Sequence, residues 1–281
     1  MSQATSVPPD QPTYWNEEGG QRWVSNIQRV ERMIEPFLTQ LMRHAAPQAG
    51  ERVLDVGCGG GVTSAAFAGA VGPSGSVLGL DVSAVILAVA RERYASVANL
   101  SFALGDAATM PLDAGHFDLV SSRFGVMFFA DPVAAFARLR SALKPGGRLA
   151  FICWRALDEN PWMADCVRAA FTVLPAPEPQ PPTAPGPFAL ADGARLRNIL
   201  GQSGYTDISI EPHDQVLDLG SIDDAVTQMT RIGPAASAFA AASATVQAAV
   251  VRAIGAALRP HLSGASVRMA SATWLAGARR G

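Results

Sequence analysis

Apolar residues recur at helical spacing between Gln21 and His44: Trp23, Ile27, Val30 and Ile34, then Phe37, Leu38 and Leu41. This pattern predicts one or two amphipathic helices with a joint at Pro36, ended by Pro47 and Gly50. The period then changes. Short apolar runs at 53–56, 77–80, 100–104, 117–121 and 148–154 read as strands. Helical stretches separate them. One starts near Val62 and stops by Gly69–Gly72, and one is capped by Ser83 and runs through Arg93. Another spans Pro132 to Leu143 and is closed by Lys144–Pro145–Gly146–Gly147. Such alternation predicts βαβ units, hence an α/β fold with a mostly parallel sheet, helices on both faces and right-handed crossovers.

The regularity breaks after Trp154. Pro175–Pro187 is too rich in proline for helix or ladder and reads as a surface loop within an insertion. A helix over about Ala191–Ser203 follows, then a strand over Ile208–Leu219 with Pro212 at an edge or bulge. Helices near Ser221–Ile232 and Ala235–Leu258 and a final strand over Val267–Ala276 complete the reading. There are no internal repeats. One domain is expected, made of a helical cap (13–45), a core (50–155), an insertion (156–205) and C-terminal strands with a helical insertion at 221–258 (206–281). The cap and the insertion are expected near the carboxyl ends of the strands.

Composition narrows the function. The 281 residues are 49% hydrophobic, enough for a sizeable core. Lys+Arg 22 against Asp+Glu 24, with no long basic run, excludes the electrostatic footprint of a nucleic-acid binder. Three scattered cysteines, Cys58, Cys153 and Cys166, provide neither a disulfide framework nor a zinc site, so no metal is expected and a reducing cytoplasm is the natural compartment. The N-terminal MSQATSVPPDQPTYW lacks the basic flank and apolar run of a signal peptide. Ala236–Leu258 is apolar but alanine-rich and interrupted by Gln247 and Arg252, so it reads as a packed helix and not a membrane insertion.

The chemistry is concentrated at the strand ends. Gly57, Gly59, Gly60 and Gly61 follow the first strand, where an open α/β sheet binds its ligand and where glycine lets backbone approach it closely. A dinucleotide fingerprint wants a small residue where Val62 stands, and no Gly-Lys-Ser/Thr closes the loop as a Walker motif would. What stands here is Asp55-x-Gly57-x-Gly59-x-Gly61. A carboxylate two residues before the loop gives a pyrophosphate nothing, but suits a ligand carrying an ammonium and a sulfonium. Asp81, ending the second strand, can accept from two ribose hydroxyls, and Asp106, after the third, from an exocyclic adenine amine. Three acids at three adjacent strand ends point to S-adenosylmethionine. Taken singly, Asp81 and Asp106 are as readily turn formers or caps.

The stretch Arg52–Arg155 resembles the core of the class I S-adenosylmethionine-dependent methyltransferases, in particular the small-molecule branch of ubiquinone and menaquinone methyltransferases. The matching words are VLDVGCGGG (53–61), GLDVS (79–83), GDAATMPL (105–112), FDLVSSRFGVMFF (117–129) and LKPGGRLAF (143–151), in the family's order. The resemblance implies a Rossmann-like, seven-stranded sheet whose last strand is antiparallel. It implies that Gly57 and Gly59 lie beneath the methionine moiety, that Asp81 holds the ribose, that Asp106 and Ala107 meet the adenine, and that Ser122, Arg123 and Phe124 lie near the methionine end. With Asp55 and Val82 these form the expected cofactor-binding set. Thr13–Trp23 resembles a helical lead-in that such enzymes fold over the cofactor.

The expected activity is therefore methyl transfer to a small, partly apolar acceptor on O, N or C, leaving S-adenosylhomocysteine. In-line displacement from a sulfonium expels a neutral group and needs no acid, so no catalytic residue is assigned. The acceptor pocket is expected among Tyr14, Trp15, Met127, Trp154, Trp162 and His213. His44, His116 and His261 read as ordinary surface or core histidines, Cys58 as a small side chain, and Asn160–Pro161–Trp162 as a chance likeness to the motif of base-directed amino-methyltransferases. The helices at 221–258 either cover the pocket or form a homodimer interface. Two other classes fit in part: a noncatalytic S-adenosylmethionine-binding protein, and a nicotinamide-dependent oxidoreductase, which Asp55 and Val62 oppose.

Overall fold

Parallel strands buried on both faces need apolar runs, and each run found in the sequence becomes a strand of one sheet. The computed structural model describes residues 10–177 and 179–281. Met1–Pro9, most of the stretch read as lacking a signal peptide, lies outside the described residues. Three helices lead in: α1 (Gln11–Asn16), α2 (Glu18–Met33) and α3 (Glu35–Ala45). The α2–α3 joint falls at Ile34, with Pro36 in the first turn of α3, where its missing N–H costs nothing.

The core then runs β1 (Arg52–Val56), α4 (Val62–Val71), β2 (Ser76–Asp81), α5 (Ala84–Arg93), β3 (Leu100–Leu104), β4 (Phe117–Arg123), α6 (Pro132–Ala142) and β5 (Leu143–Trp154). After it come α7 (Pro161–Ala170), α8 (Gly193–Gln202), β6 (Thr206–Asp218), α9 (Ile222–Arg231), α10 (Ala236–Ala241), α11 (Ala244–Leu258), β7 (Leu262–Ser263) and β8 (Ser266–Arg279). The sheet order is β3-β2-β1-β4-β5-β8-β6, with the two-residue β7 paired to β8 off this path. β1 to β5 pair in parallel, and β8 runs antiparallel between β5 and β6. Strand order reverses between β1 and β4, which opens a cleft at their carboxyl ends.

Helices cover both faces. Phe37 of α3 meets Trp154, while Phe136 of α6 meets Phe151. Trp154 and Phe151 are an odd number of residues apart on β5, so their side chains leave opposite faces. Ser83 caps α5 as expected, accepting from the Ile86 N–H, and Pro212 lies on the edge strand β6, where a missing N–H is tolerated.

Four local expectations change. Lys144–Gly147 does not close α6 as a turn. It enters β5 as a bulge, with Gly146 at φ +75 and its N–H donating to the Arg280 carbonyl (2.8 Å). The stretch expected as one helix over Ala235–Leu258 is two, α10 and α11, because Ser243 adopts an extended backbone and caps α11 through the Val246 N–H. The added strand β7 is a hairpin arm of β8. Helix α7 was missed, since the sequence there shows a proline followed by mixed apolar spacing.

Asn160, just before α7, is fully buried and ties this segment to the sheet. Its Nδ2 donates to the carbonyls of Ala156 (2.9 Å) and Ala272 (3.1 Å), and its Oδ1 accepts from the Ala272 N–H (2.9 Å) and Trp162 Nε1 (3.1 Å). The side chain is consumed by internal bonds, which accounts for Asn160–Pro161–Trp162 without any base-recognition role. Removing it strands several buried donors and acceptors. Asn160→Ala is expected to lower stability by about 3 kcal/mol in urea unfolding, against about 1 for a single ordinary hydrogen bond.

Candidate functional site

The loop after β1 is shaped by crowding and by backbone conformation. Gly57 has φ +65, and a Cβ there would stand 2.7 Å from the Gly125 Cα. The turns after β1 and β4 thus touch backbone to backbone at the switch point. Gly59 has φ +54, yet a Cβ there would meet nothing within 4 Å, so its glycine is required by conformation and faces open space. Cys58 is buried, and burial pushes its thiol well above the ordinary range, so it is an inert small side chain here.

Three carboxylates end the first three strands. Asp55 is fully buried, and one oxygen accepts from Ser64 Oγ of α4 at 2.6 Å. Its other oxygen, Oδ1, has no hydrogen-bond partner. Burial raises its carboxyl to about 7, opposed by the Ser64 hydrogen bond and the Arg123 charge and reinforced by Asp81. Asp81 accepts from the Gly59 N–H (2.8 Å) and the Ser83 N–H (2.9 Å), one on each oxygen. Burial moves its carboxyl up as well. Asp106 accepts from the Ala108 N–H (2.8 Å) and shapes the turn after β3, with Ala107 buried beside it. Among the described residues, none of the three carboxylates has a Lys or Arg within ion-pair distance.

The turn after β4 forms the facing wall. Ser122 Oγ donates to the Val56 carbonyl (2.7 Å) and accepts from the Gly125 N–H (3.1 Å), locking this turn to β1. Arg123 donates to the Ile34 carbonyl (3.3 Å) at the α2–α3 joint. Burial lowers its guanidinium's pKa, while the charges of Asp55, Glu31 and Glu35 hold it up. Phe124 has φ +66, a strained backbone for an aromatic residue, and stacks on Trp154 at 4.3 Å and 11°. Phe37 meets both rings edge-on.

The cap closes over these turns. Ser83 Oγ donates to the Trp15 carbonyl (2.6 Å), Asn16 Nδ2 to the Val82 carbonyl (2.8 Å), and the Ala84 N–H to Asn16 Oδ1 (2.8 Å). Trp15 also meets Phe128 edge-on at 5.4 Å, so α1 bridges the ends of β2 and β4. Farther along, Glu31 of α2 pairs with Arg93 at 2.8 Å above Gly60.

This frame has relatives. Residues 53–147 match the model of a family described as a methyltransferase domain. That stretch holds β1 to the start of β5, with the glycine loop and the strand-end acids. Over 108 residues it is 38% identical to a demethylmenaquinone methyltransferase of Staphylococcus carnosus, covering 38% of this chain and 45% of that protein. The chain thus aligns with less than half the length of that curated relative. By fold, the chain is similar to phosphoethanolamine N-methyltransferase 2 of Haemonchus contortus, solved with S-adenosyl-L-methionine: TM-score 0.61, 18% identity, covering 98% of this chain and 61% of that one. The YcgJ protein of Bacillus subtilis gives a TM-score of 0.56 at 18% identity, covering 86% of this chain and 97% of that one.

The structure brings Asp55, Gly57, Gly59, Asp81, Val82, Asp106, Ala107, Arg123 and Phe124 of the core to one end of the sheet. Tyr14 packs against Gly19, and Trp15 sits in the cap. Met127, Trp154 and Trp162 are buried, with the Trp154 N–H directed at Met127 Sδ (3.5 Å) and Trp154 against Trp162 at 5.1 Å. They lie in the floor, not on an open wall. His213 stands on β6 opposite Thr273, which in turn faces Trp154 of β5, so two strand spacings, about 10 Å, separate its backbone from that of Trp154. Sequence reasoning missed Asn16, Ser64, Glu31 and Arg93. Each acts on a partner distant in the chain or on a helix face that carries no motif.

Among the described residues no cluster of His, Cys, Asp and Glu has the make-up of a metal site. No helix among them is long and apolar enough to cross a membrane.

The raised Asp55 carboxyl has a definite linkage sign. The folded protein holds this proton more tightly than the unfolded chain, so Asp55 contributes stability at low pH that is lost as pH rises from about 4 through about 7. Asp55→Asn should therefore lose less melting temperature between pH 5 and pH 8 than the parent. Parallel declines in thermal scans would mean that Asp55 ionises in the folded protein without cost.

Proposed function

We propose that this protein transfers a methyl group from S-adenosylmethionine to a small, partly apolar acceptor. The observation that carries this reading is the set of three strand-end carboxylates around a glycine loop, one of them with a buried, unpartnered oxygen. A cleft so lined repels phosphates and favours a cationic adenosyl ligand. The match of 53–147 to a methyltransferase domain supports it.

The residues fit the cofactor chemically. Each oxygen of Asp81 already accepts one backbone hydrogen bond, but a carboxylate has about four acceptor sites, so capacity remains for two ribose hydroxyls. The spare oxygen of Asp106 and the backbone at Ala107 serve the adenine. The unpartnered Asp55 oxygen suits the ammonium of the methionine moiety, and the Arg123 guanidinium its carboxylate. Gly57 and Gly59 let the backbone lie directly beneath it. When bound, the cofactor supplies an electrophilic methyl on a sulfonium. The chain's contribution is positioning, worth up to about 7–11 kcal/mol in favourable cases, and exclusion of water by the α1–α2 cap. The partly exposed aromatic group of Trp15, Trp23 and Phe128, between the cap and the turn after β4, suits an acceptor with an apolar, planar body. The demethylmenaquinone methyltransferase relative bears an acceptor of that kind in its name.

The direct test is calorimetry with S-adenosylhomocysteine and NADH, followed by turnover of methyl-labelled cofactor over phenols, amines, thiols and quinols. Binding of NADH alone would overturn the proposal, and cofactor binding without turnover would turn it into a binding protein. Asp81→Asn keeps one acceptor oxygen and loses the charge. It should weaken S-adenosylhomocysteine binding by about 1–3 kcal/mol, and unchanged affinity would remove Asp81 from the ribose. Asn16→Ala frees α1 from the turn after β2. It should speed S-adenosylhomocysteine dissociation in stopped flow several-fold, whereas an unchanged rate would mean that α1 does not gate the site.

A further inference from the structure

The contacts of the cap with the core carry it across the cleft. At the carboxyl end of β2, Ser83 Oγ donates to the Trp15 carbonyl (2.6 Å), and Asn16 bonds to Val82 and Ala84. At the end of β4, Arg123 donates to the Ile34 carbonyl (3.3 Å), just past the last residue of α2. β1 lies between β2 and β4 in the sheet. The chain from Trp15 to Ile34 therefore passes over the glycine loop that follows β1, and it touches that loop at Gly60. A Cβ on Gly60 would stand 2.5 Å from Glu31 Oε1, 2.6 Å from Ile27 Cδ1 and 3.0 Å from Arg93 Nη1. Ile27 and Glu31 are one turn apart on α2 and share a face.

The polar part of this contact is an ion pair. Arg93 Nη1 donates to both Glu31 oxygens, at 2.8 and 2.9 Å. Arg93 lies in the last turn of α5, where a cation complements the helix dipole, and α5 begins at the Ser83 cap. Among the described residues this is the one ion pair that joins the cap to the core. The other pair that leaves α2, Arg29–Asp224 (2.9 Å), goes to α9 in the insertion. The loop thus has two sides: Gly59 faces open space, and its neighbour Gly60 lies under Glu31 and Ile27. Gly57, Gly59 and Gly61 have positive φ, and Gly60 does not. The backbone at Gly60 therefore does not call for glycine, and what the missing side chain provides is room for the pair.

We propose that the Glu31–Arg93 pair is the latch of the cofactor site: it holds α2 down on the glycine loop, and S-adenosylmethionine enters and its product leaves when the pair opens. This rests on the methyltransferase reading above and adds to it how exchange at that site is controlled. The pair forms without the ligand, so it opposes entry and exit alike. Its loss raises both rates and leaves the affinity in place, whereas loss of a contact to the ligand raises the exit rate and weakens binding.

The test is stopped-flow measurement of S-adenosylhomocysteine association and dissociation on the full chain. Glu31→Gln and Arg93→Gln are each expected to raise both rates by about five-fold or more, with Kd within about two-fold of the parent. The double variant should be no faster than the faster single one, since the two side chains act as a unit. Gly60→Ala keeps both charges and pushes a methyl against the tips of flexible side chains, which the fold can accommodate, and it too should raise both rates. Arg29→Gln frees α2 from the insertion alone and should leave both rates within about two-fold of the parent. Faster dissociation without faster association in Glu31→Gln and Arg93→Gln would make the pair a support of the bound ligand and overturns the latch. Equal acceleration by Arg29→Gln overturns it as well, because general loosening of α2 would then set the rates. Unchanged rates with a lowered melting temperature mean a purely structural pair, which also overturns it and leaves the cofactor site standing. Failure of the parent to bind S-adenosylhomocysteine defeats the methyltransferase reading itself, and the latch falls with it.

Discussion

The Asp81 carboxylate holds the cleft together. One of its oxygens takes the Gly59 N–H and so fixes the glycine loop, and the other takes the Ser83 N–H and so fixes the start of α5. Ser83 in turn anchors the cap through the Trp15 carbonyl. Loop, helix and lid thus meet at one buried acid at the end of β2. A carboxylate is the side chain that can do this, since it accepts several hydrogen bonds and donates none when ionised. Any group that replaces it must satisfy two backbone donors and still leave acceptor capacity toward the ligand.

Around that anchor the cleft is deliberately underpaired. Asp55 keeps one buried oxygen without a donor, and no Lys or Arg comes within ion-pair distance of it among the described residues. Burial then raises its carboxyl toward neutrality, which costs stability as pH rises. A cationic ligand would relieve that cost, so the free protein carries a penalty that binding removes. Phe124 adds backbone strain at the facing turn, held in place by its stack on Trp154 and by the Ser122 hydrogen bonds. The strained Phe124 and the unpartnered Asp55 oxygen thus stand at the neighbouring carboxyl ends of β4 and β1.

Asn160 and Gln228 make the contrast plain. Both are buried amides in the parts of the chain that flank the core. Asn160 has its donors and acceptor satisfied by the backbone and by Trp162, and its role is to join α7 to β8. Gln228 has only a thioether for its nitrogen and nothing for its oxygen. The two amides differ in their hydrogen-bond partners and so in what their burial costs.

While the reversal of the last strand was implied only by the family resemblance, the sequence by itself determined the alternation of strands and helices, the glycine loop and the acids after the first three strands. These are local signals: apolar periodicity, caps such as Ser83, and glycines with positive φ, all set by a residue and its near neighbours. Tertiary structure alone decided the break at Ser243, the bulge at Lys144–Gly147 held by the Arg280 carbonyl, and the burial of Trp154 and Trp162. It also decided that Asn16 clamps Val82, 66 residues away, and that Gln228 reaches Met33, 195 residues away. No window of sequence carries such pairings, because they depend on which helix faces come to rest against one another once the sheet has formed.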